Sequence, residues 1–417
     1  MTLNKSILDR KGPRRQLAPH TTREGGLAGS FIRTIPDDPE RIAPAFAGGD
    51  AVNAIANTQG SRPVIVVEDD PFTRLISVVL DPACSEERKA AFADFMAHDE
   101  PDFSGWIGRL RQEAAAIFPS DVRLVTSEQD MRNNLRDCRA LVVESFRVTE
   151  ADLTGAPQLS IVQKFGATLR NIDVAACRSR GVRVGSLRRM ANVACAEHAF
   201  ALLLCLARRL NQLNGCATRE RLQAEGRAFR PFDRRHTPGG NFGRFDKLKS
   251  LHGSTIGVIG LGEIGREIAL RARAFEMRVL YHQRAPASDD ADFGASYVSL
   301  AELLAQSDWI IPQVPGSAAT YGLIGPAELA AMKPGAAIVN ISDPKLIERT
   351  ALVNALTAGT LGGFALDPLY AEPMSEGDAL LSFPNVILSP HLAGSPRQNG
   401  LNDFERLIRI LAKELAP

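Results

Sequence analysis

Residues 255–265, with the sequence TIGVIGLGEIG, carry the clearest structural signal in this chain. An apolar run at 255–259 leads directly into a GxGxxG motif, and a segment of helical pattern follows at 266–275. A GxGxxG match alone is a weak signal, but one that follows a strand and opens a helix is typical of a dinucleotide-binding α/β domain. The stretch therefore predicts a strand, a phosphate-binding turn and a helix, in that order.

Each glycine of the motif is required for a different structural reason in such a turn. Gly260 permits the tight bend, Gly262 lets the backbone approach a pyrophosphate, and Gly265 allows the helix to pack closely on the strand. The helix N-terminus adds unpaired N–H groups and the positive end of the helix dipole. We therefore predict cofactor contacts at these three glycines, and at Glu263 and Ile264 between them.

The end of the next predicted strand indicates which nicotinamide cofactor is preferred. An NAD site usually has an acidic residue there to bind the ribose 2′-hydroxyl. Here the strand ends in Gln283 and Arg284, and no carboxylate is present. Arg284 is placed where a cation can meet a 2′-phosphate, so the sequence predicts that NADPH is preferred and that NADH is a possible alternative.

Short apolar runs on both sides of the motif predict buried parallel strands. They lie at 63–67, 122–125, 140–143, 159–162, 182–184, 255–259, 278–281, 309–312, 337–340, 363–366 and 386–388. Helical patterns separate them, among them 112–118, 127–135, 174–180, 191–213 and 403–415. Alternating strands and helices predict an α/β fold with two Rossmann-like, doubly wound parallel-sheet domains.

Composition excludes several classes of function. Among 417 residues the net charge is +1, which gives no general reason to expect nucleic acid or a membrane as partner. The basic segment 216–249 is interpreted as a solvated surface loop, because the charge of the whole chain is balanced. The six cysteines form neither a CxxC pair nor a zinc-type cluster. No signal pattern or membrane-length apolar run is evident, so we expect a cytoplasmic protein without a metal.

The first 60 residues differ from the rest in composition. They are rich in Arg, Pro, Gly, Thr and Asp and show little periodicity. Such a segment buries too little apolar surface to order itself. We interpret residues 1–60 as an N-terminal arm that is either disordered or packed on a partner subunit.

Five further stretches, taken together and in this order, identify a family. They are QKFG at 163–166 with NID at 171–173, AEH at 196–198, LGEIGR at 261–266, MKPGA at 332–336 and NVILSPHLAG at 385–394. From residue 62 onward the chain resembles the D-isomer-specific 2-hydroxyacid dehydrogenases, which include phosphoglycerate dehydrogenase. The segment 281–284 is most similar to the NADPH-using glyoxylate/hydroxypyruvate reductases of that family.

The resemblance implies a domain organisation and a homodimer. A substrate domain would span residues 61–190 and be completed by 395–417. The NAD(P)-binding domain, residues 191–394, would be inserted between them. A small-molecule substrate would bind in the cleft between the two domains.

The resemblance also implies roles for individual residues. His391 matches the catalytic histidine, and its imidazole can exchange a proton with the carbonyl oxygen near neutral pH. Glu372 matches the glutamate that keeps this histidine protonated. Asp367 matches the aspartate that binds the nicotinamide carboxamide. The remaining cofactor contacts would be Val314, Pro315, Thr320 and Gly394, together with His391.

The chain departs from the family pattern where the substrate carboxylate should bind. Asp343 occupies the position of the arginine that binds this carboxylate in the family, so a negative charge replaces a positive one. In the loop 166–170, which would offer N–H groups to the substrate, Thr168 replaces a glycine and Arg170 an acidic residue, with Leu169 between them. Arg188 and Arg189 replace a Pro-Gly pair. We therefore predict substrate contacts at Thr168, Leu169, Arg170, Arg188 and Asp343.

These departures leave several functions open. The first is an NAD(P)H-dependent reductase of a small 2-keto acid, in which Arg170, Arg188 or Lys345 replaces the missing arginine. The second is an enzyme for a neutral or cationic substrate that Asp343 recognises. The third is a cofactor-binding regulatory protein that has lost dehydrogenase activity. The presence of both His391 and Glu372 favours an enzyme.

Overall fold

The computed structural model describes residues 62–416, and the interpretation of residues 1–60 as an arm lies outside this range. Two parallel sheets account for all twelve strands of the described residues. The helices are α1 (Leu75–Leu80), α2 (Glu86–Met96), α3 (Phe103–Glu113), α4 (Glu128–Asn133), α5 (Glu150–Thr154), α6 (Val174–Ser179), α7 (Met190–Arg208), α8 (Leu210–Leu213), α9 (Arg219–Ala224), α10 (Glu263–Ala274), α11 (Leu300–Gln306), α12 (Pro326–Ala331), α13 (Arg349–Thr357) and α14 (Gln398–Leu415).

The first sheet has the strand order β2-β1-β3-β4-β5. Its strands are β1 (Val64–Glu68), β2 (Asp121–Val125), β3 (Cys138–Val143), β4 (Ile161–Lys164) and β5 (Arg183–Gly185). The central strands β1, β3 and β4 are almost entirely buried because helices cover both faces of the sheet. The strongly amphipathic helix α14 lies in the same core, where the ring of Phe404 stacks on Phe165 at 5.1 Å between centroids.

The second sheet has the strand order β12-β11-β10-β9-β6-β7-β8. Its strands are β6 (Thr255–Ile259), β7 (Arg278–His282), β8 (Ala295–Tyr297), β9 (Trp309–Pro312), β10 (Ala337–Asn340), β11 (Gly363–Leu366) and β12 (Val386–Leu388). The order reverses direction beside β6, and in such sheets the ligand crevice lies outside the carboxyl ends of the strands at this point. The glycine-rich turn follows β6, so the sheet places it there.

Helix α7 connects the two halves of the fold. Its length and apolar composition would suffice to cross a membrane, but half of its most apolar window is buried, as in the core helix of a globular fold. It packs against α10 on one side and α14 on the other. Asp403 of α14 accepts hydrogen bonds from the first N–H groups of α7, those of Met190 at 2.7 Å and Ala191 at 3.1 Å. Burial raises the pKa of Asp403.

The predicted fold class is confirmed, with local corrections. All eleven predicted strands are present, whereas β8 was missed. The helix predicted at 112–118 is wrong, because α3 begins at Phe103, capped by the side chain of Asp102. The last helix begins at Gln398 rather than at Asp403. The helix predicted at 191–213 breaks at Arg209, whose backbone is left-handed with φ of 53°.

Candidate active site

The glycine-rich turn has the geometry that a dinucleotide requires. Gly260 has φ of +106°, and a side chain there would approach the carbonyl oxygen of Gln313 at 2.5 Å. A side chain at Gly265 would collide with the carbonyl oxygen of Gly260. By contrast, no atom lies within 4 Å of the position that a Cβ of Gly262 would take. This open space adjoins the N-terminus of α10, whose first N–H groups have no partner inside the helix, so the turn fits a pyrophosphate.

Three other residues of this region differ in how they fit the predicted cofactor site. Arg284 is exposed at the end of β7 and has no ion-pair partner within residues 62–416. Gln283 accepts a hydrogen bond from the backbone N–H of Leu261 at 3.2 Å and so ties β7 to the turn. Ile264 is turned away, because its side chain packs against the hydrophobic core around β6.

Glu263, at the first position of α10, contacts the first sheet instead of open solvent. Its carboxylate accepts hydrogen bonds from the backbone N–H of Ala167 at 3.0 Å, and from both the backbone N–H and the hydroxyl of Thr168 at 2.8 Å. These N–H groups belong to the loop after β4 that was predicted to hold the substrate carboxylate. The structure therefore places a carboxylate of the chain itself at this loop.

His391 and Glu372 lie together, as the sequence predicts. Nδ1 of His391 is 3.0 Å from Oε1 of Glu372, and both side chains are about half exposed. The backbone N–H of Leu369 also donates to Glu372 at 2.9 Å. This hydrogen bond and the contact with His391 lower the pKa of Glu372, so the carboxylate stays charged. Since Nδ1 faces Glu372, Nε2 of His391 is the nitrogen left for a substrate.

Asp367 fixes the loop that carries His391. Its fully buried carboxylate accepts hydrogen bonds from the Ser389 hydroxyl at 2.6 Å and from the backbone N–H groups of Leu392 and Ala393, each at 2.8 Å. Nε2 of His198 lies 3.3 Å away. Burial alone would raise the pKa of Asp367, but His198, Ser389 and the two N–H groups outweigh it and lower the pKa to about 2.

The buried position of Asp367 gives it a structural role, whereas the contact with the nicotinamide that the resemblance implied stays a prediction. The carboxylate has no exposed surface and four partners of the chain itself. It shapes the turn in which His391 adopts a left-handed backbone with φ of 58°. His198 helps to position this loop through Asp367. The AEH stretch at 196–198 did not predict this role.

Asp343 has a local structural partner. Its Oδ1 accepts a hydrogen bond from the backbone N–H of Lys345 at 2.8 Å and so caps the short 3-10 turn Pro344–Leu346. Oδ2 lies so close to Gly316 that a side chain there would collide with it. Asp343 is therefore placed beside the loop after β9 that was predicted to contact the cofactor.

Further predicted site residues are Thr320, Pro315, Val314, Gly394 and Leu169. The Thr320 hydroxyl donates to the carbonyl of Pro315 at 2.7 Å and fixes the loop. The carbonyl of Val314 accepts a hydrogen bond from Ser342 at 3.0 Å, which joins the loops after β9 and β10. Gly394 is exposed beyond His391, with open space where a side chain would lie. Leu169 is partly buried against the core of the first sheet.

The three cations proposed to replace the missing arginine are not positioned alike. Arg188 forms a bidentate ion pair with Glu267 of α10, at 2.6 and 2.8 Å. Lys345 lies over the ring of Tyr321, 5.2 Å from its centroid. Arg170 is exposed on the rim of its loop. A fourth cation, Arg189, is nearly buried and lies above the ring of Phe165 at 4.2 Å.

No group of three or more His, Cys, Asp or Glu side chains within residues 62–416 is arranged to hold a metal ion. The six cysteines all lie in this range and are free thiols. The chemical groups described at the site are the His391–Glu372 pair and the charged groups around Glu263, beside the glycine-rich turn.

Comparison with known proteins identifies a family and several relatives to which this chain is similar. Residues 200–393 match the family described as "D-isomer specific 2-hydroxyacid dehydrogenase, NAD binding domain". A glyoxylate reductase of Pyrococcus furiosus is 34% identical over 291 residues, which are 69% of this chain and 82% of that protein. A D-3-phosphoglycerate dehydrogenase of Archaeoglobus fulgidus is 33% identical over 284 residues, 68% of this chain and 50% of that protein.

Among solved structures, the crystal structure of the PH0520 protein from Pyrococcus horikoshii is similar in fold. It covers 84% of this chain and 92% of its own, with a TM-score of 0.51 and 21% sequence identity. At this identity the likeness concerns the fold alone.

Proposed function

Because the chain belongs to the D-isomer specific 2-hydroxyacid dehydrogenases, we propose that it reduces a small 2-keto acid, or oxidises the corresponding D-2-hydroxy acid, with NADPH preferred over NADH. The observation that carries this proposal is the contact of 3.0 Å between Nδ1 of His391 and Glu372. A charged carboxylate beside Nδ1 orients the imidazole ring and leaves Nε2 to exchange a proton with a substrate.

In this proposal, the residues of the chain orient the substrate and move one proton. A bound nicotinamide would supply the hydride for the carbonyl carbon. His391 donates the proton from Nε2 to the carbonyl oxygen, and Glu372 holds the imidazole by its other nitrogen. Asp367 and His198 keep the loop of His391 in place. Because His391 is exposed in the absence of substrate, it can regain its proton from solvent.

The cofactor assignment rests on the glycine-rich turn and on Arg284. The open space at Gly262 and the N-terminus of α10 suit a pyrophosphate. Arg284, exposed and without an ion-pair partner in residues 62–416, suits a 2′-phosphate. Val314, Pro315, Thr320 and Gly394 would line the cofactor on the side of β9 and β12.

The proposal includes the domain organisation and assembly. Residues 61–190 with 395–417 would form the substrate domain, and 191–394 the cofactor domain. The packing of α14 into the core of the first sheet supports this division. A cytoplasmic homodimer is proposed on the family resemblance.

A second candidate function is a regulatory protein that binds NAD(P)(H) without turnover. Two observations favour it: Asp343 stands where the family has an arginine, and Glu263 occupies the N–H groups of Ala167 and Thr168. Both place negative charge where a 2-keto acid would bring its own. The His391–Glu372 pair has no purpose in such a protein, which is why the enzyme is preferred.

Oxidation of NADPH and NADH in the presence of glyoxylate, pyruvate, hydroxypyruvate, phenylpyruvate and neutral ketones tests the proposal. Turnover of a 2-keto acid that is lost in His391→Ala supports it. His252→Ala, a histidine whose exposed side chain pairs with Glu276, is the matched control and should retain activity. NADPH binding without turnover of any carbonyl compound would favour the regulatory protein instead.

A further inference from the structure

Charged side chains cluster at the carboxyl ends of the central strands of the first sheet. Lys164 ends β4, Glu144 follows β3, and Arg189 directly precedes α7. The buried ammonium of Lys164 donates to the carbonyl of Glu144, and burial lowers the pKa of this lysine. In open α/β sheets, ligands bind outside the carboxyl ends of the strands. This cluster therefore occupies the place where the first sheet would meet a substrate.

The guanidinium of Arg189 is held rigidly but is only partly used. It lies over the ring of Phe165, 4.2 Å from its centroid, and 5.6 Å from that of Phe72. Nη1 is 3.4 Å from Oε1 of Glu144. Nε is buried and has no hydrogen-bond partner within residues 62–416. A buried N–H group without a partner is costly, so this nitrogen has a donor left for a bound water or ligand.

The unused edge of Arg189 has the geometry of a carboxylate receptor. Nε and Nη2 form two parallel N–H donors in a fixed plane, and this fork matches the two oxygens of a carboxylate. Nη1, on the other side, is already taken by Glu144. Aromatic stacking fixes the orientation of the plane, so little side-chain entropy is lost when a ligand binds.

Arg189 also shares electrostatic neighbours with both parts of the site already described. The thiol of Cys195, on the second turn of α7, experiences the charges of both Arg189 and Asp367. Lys164 experiences the charges of both Arg189 and Glu263. Arg189 therefore shares one neighbouring residue with Asp367, which holds the loop of His391, and another with Glu263 at the glycine-rich turn. Phe72, which flanks it, is 42% exposed, so the cluster borders on solvent.

We propose that Arg189 binds the carboxylate of the substrate through Nε and Nη2, and so replaces the arginine that the family has at position 343. Lys164 adds a second positive charge beside it. This inference rests on the proposed reduction of a 2-keto acid. The predicted substitutes are less suitable, since Arg188 is engaged by Glu267, Lys345 stacks on Tyr321, and Arg170 is exposed on a rim.

The surrounding charges also define the class of substrate. Glu144 and Glu263 both act electrostatically on Lys164, and Asp343 stands where the family has an arginine, so the charges that a second carboxylate of a substrate would meet are negative. A like charge disfavours binding. We therefore expect a monocarboxylate, such as pyruvate or hydroxypyruvate, to be preferred over a dicarboxylate such as oxaloacetate.

Two substitutions test the role of Arg189. Arg189→Met keeps the stem of the side chain and removes the donors, whereas Arg189→Lys keeps the charge but loses the fork. Arg180→Met, a partly exposed arginine on the far side of the first sheet, is the matched control. Binding of oxamate, an unreactive analogue of a 2-keto acid, is measured by calorimetry on the NADPH-loaded proteins. The steady-state KM and kcat are measured with pyruvate, oxaloacetate and butanedione.

We expect Arg189→Met to weaken oxamate binding by about 100-fold or more and Arg189→Lys by about 10-fold, because the buried fork supplies charge-assisted hydrogen bonds. The KM for pyruvate should rise in parallel, whereas turnover of the neutral diketone and the affinity for NADPH should not change. Should Arg189→Met fail to fold, as judged by circular dichroism, Arg189→Lys decides the question.

Two results would overturn the inference, and they differ in what else they refute. If both variants retain the wild-type KM for pyruvate and affinity for oxamate, Arg189 is not the carboxylate receptor, although the proposed function stands. If the wild-type protein binds NADPH but neither binds oxamate nor reduces any 2-keto acid, the proposed function fails together with the inference.

Discussion

Substitution of Glu263 by Gln should loosen the contact between the glycine-rich turn and the first sheet. The carboxylate of Glu263 accepts from the backbone N–H groups of Ala167 and Thr168 and from the Thr168 hydroxyl. Hydrogen bonds to a charged acceptor contribute about 1.5–3 kcal/mol, compared with about 0.5–1.5 kcal/mol for neutral pairs. Gln removes the charge and one of the two acceptor oxygens, while the other oxygen can still accept.

For this partly exposed group, we expect a loss of about 1–3 kcal/mol, which corresponds to a rise of about 5- to 150-fold in the population with the contact open. Amide hydrogen exchange at Ala167 and Thr168 reports this population directly, because their N–H groups are the donors. Exchange at both amides should accelerate by this factor in Glu263→Gln.

The control is Glu276→Gln, whose side chain is 74% exposed and pairs with His252 at the protein surface. It should leave exchange at Ala167 and Thr168 unchanged. Equal exchange rates in Glu263→Gln and the wild-type protein would mean that this contact does not hold the loop in solution.

Three further predictions concern the site residues. Asp367→Asn should lower the free energy of unfolding at pH 7 by about 2 kcal/mol, because the pKa of the buried carboxyl is lowered to about 2. This contribution is complete above about pH 4 and is lost as the pH falls towards 2, so urea unfolding of variant and wild type should converge in acid. A constant difference down to pH 2 would contradict the assigned cause. Gly265→Ala should destabilise the protein by about 1–3 kcal/mol because its Cβ meets the carbonyl of Gly260, whereas Gly262→Ala should retain wild-type stability but weaken NADPH binding. Equal thermal unfolding of the two variants would argue against the distinct roles of these glycines. Arg284→Ala should reduce the ratio of kcat/KM for NADPH to that for NADH by about 10-fold or more, since a charge-assisted contact with a 2′-phosphate is lost. An unchanged ratio would assign cofactor preference to another residue.

The sequence predicts the strands well because parallel strands covered on both faces are continuous apolar runs. All eleven such runs are strands in the structure. Strand β8 was missed because it is a three-residue strand at the edge of its sheet, where two of its residues are exposed. The start of α3 was missed because its cap, Asp102, lies in a segment without a clear apolar period.

The sequence predicts which chemical groups the site contains, but only some of the contacts between them. The His391–Glu372 pair is present as expected, since both residues belong to local motifs. The contact between Glu263 and Thr168 joins residues 95 positions apart, and no local pattern encodes it. Arg188 and Arg189 are neighbours in the chain, yet one side chain reaches α10 and the other the first sheet. Their directions depend on the backbone at the start of α7, which composition does not determine.

The position of α14 in the first core affects how the chain can fold during synthesis. Leu401, Phe404, Leu407 and Leu411 are fully or almost fully buried against strands that precede them by more than two hundred positions. The ribosome therefore completes every strand of the second sheet before it releases the helix that closes the first. Until α14 is synthesised, the face of the first sheet that it covers stays exposed, and exposed apolar surface of this kind is bound by chaperones. Replacing Phe404 by Asp should consequently reduce the yield of native protein in cells, because it places a charge in the core beside Phe165.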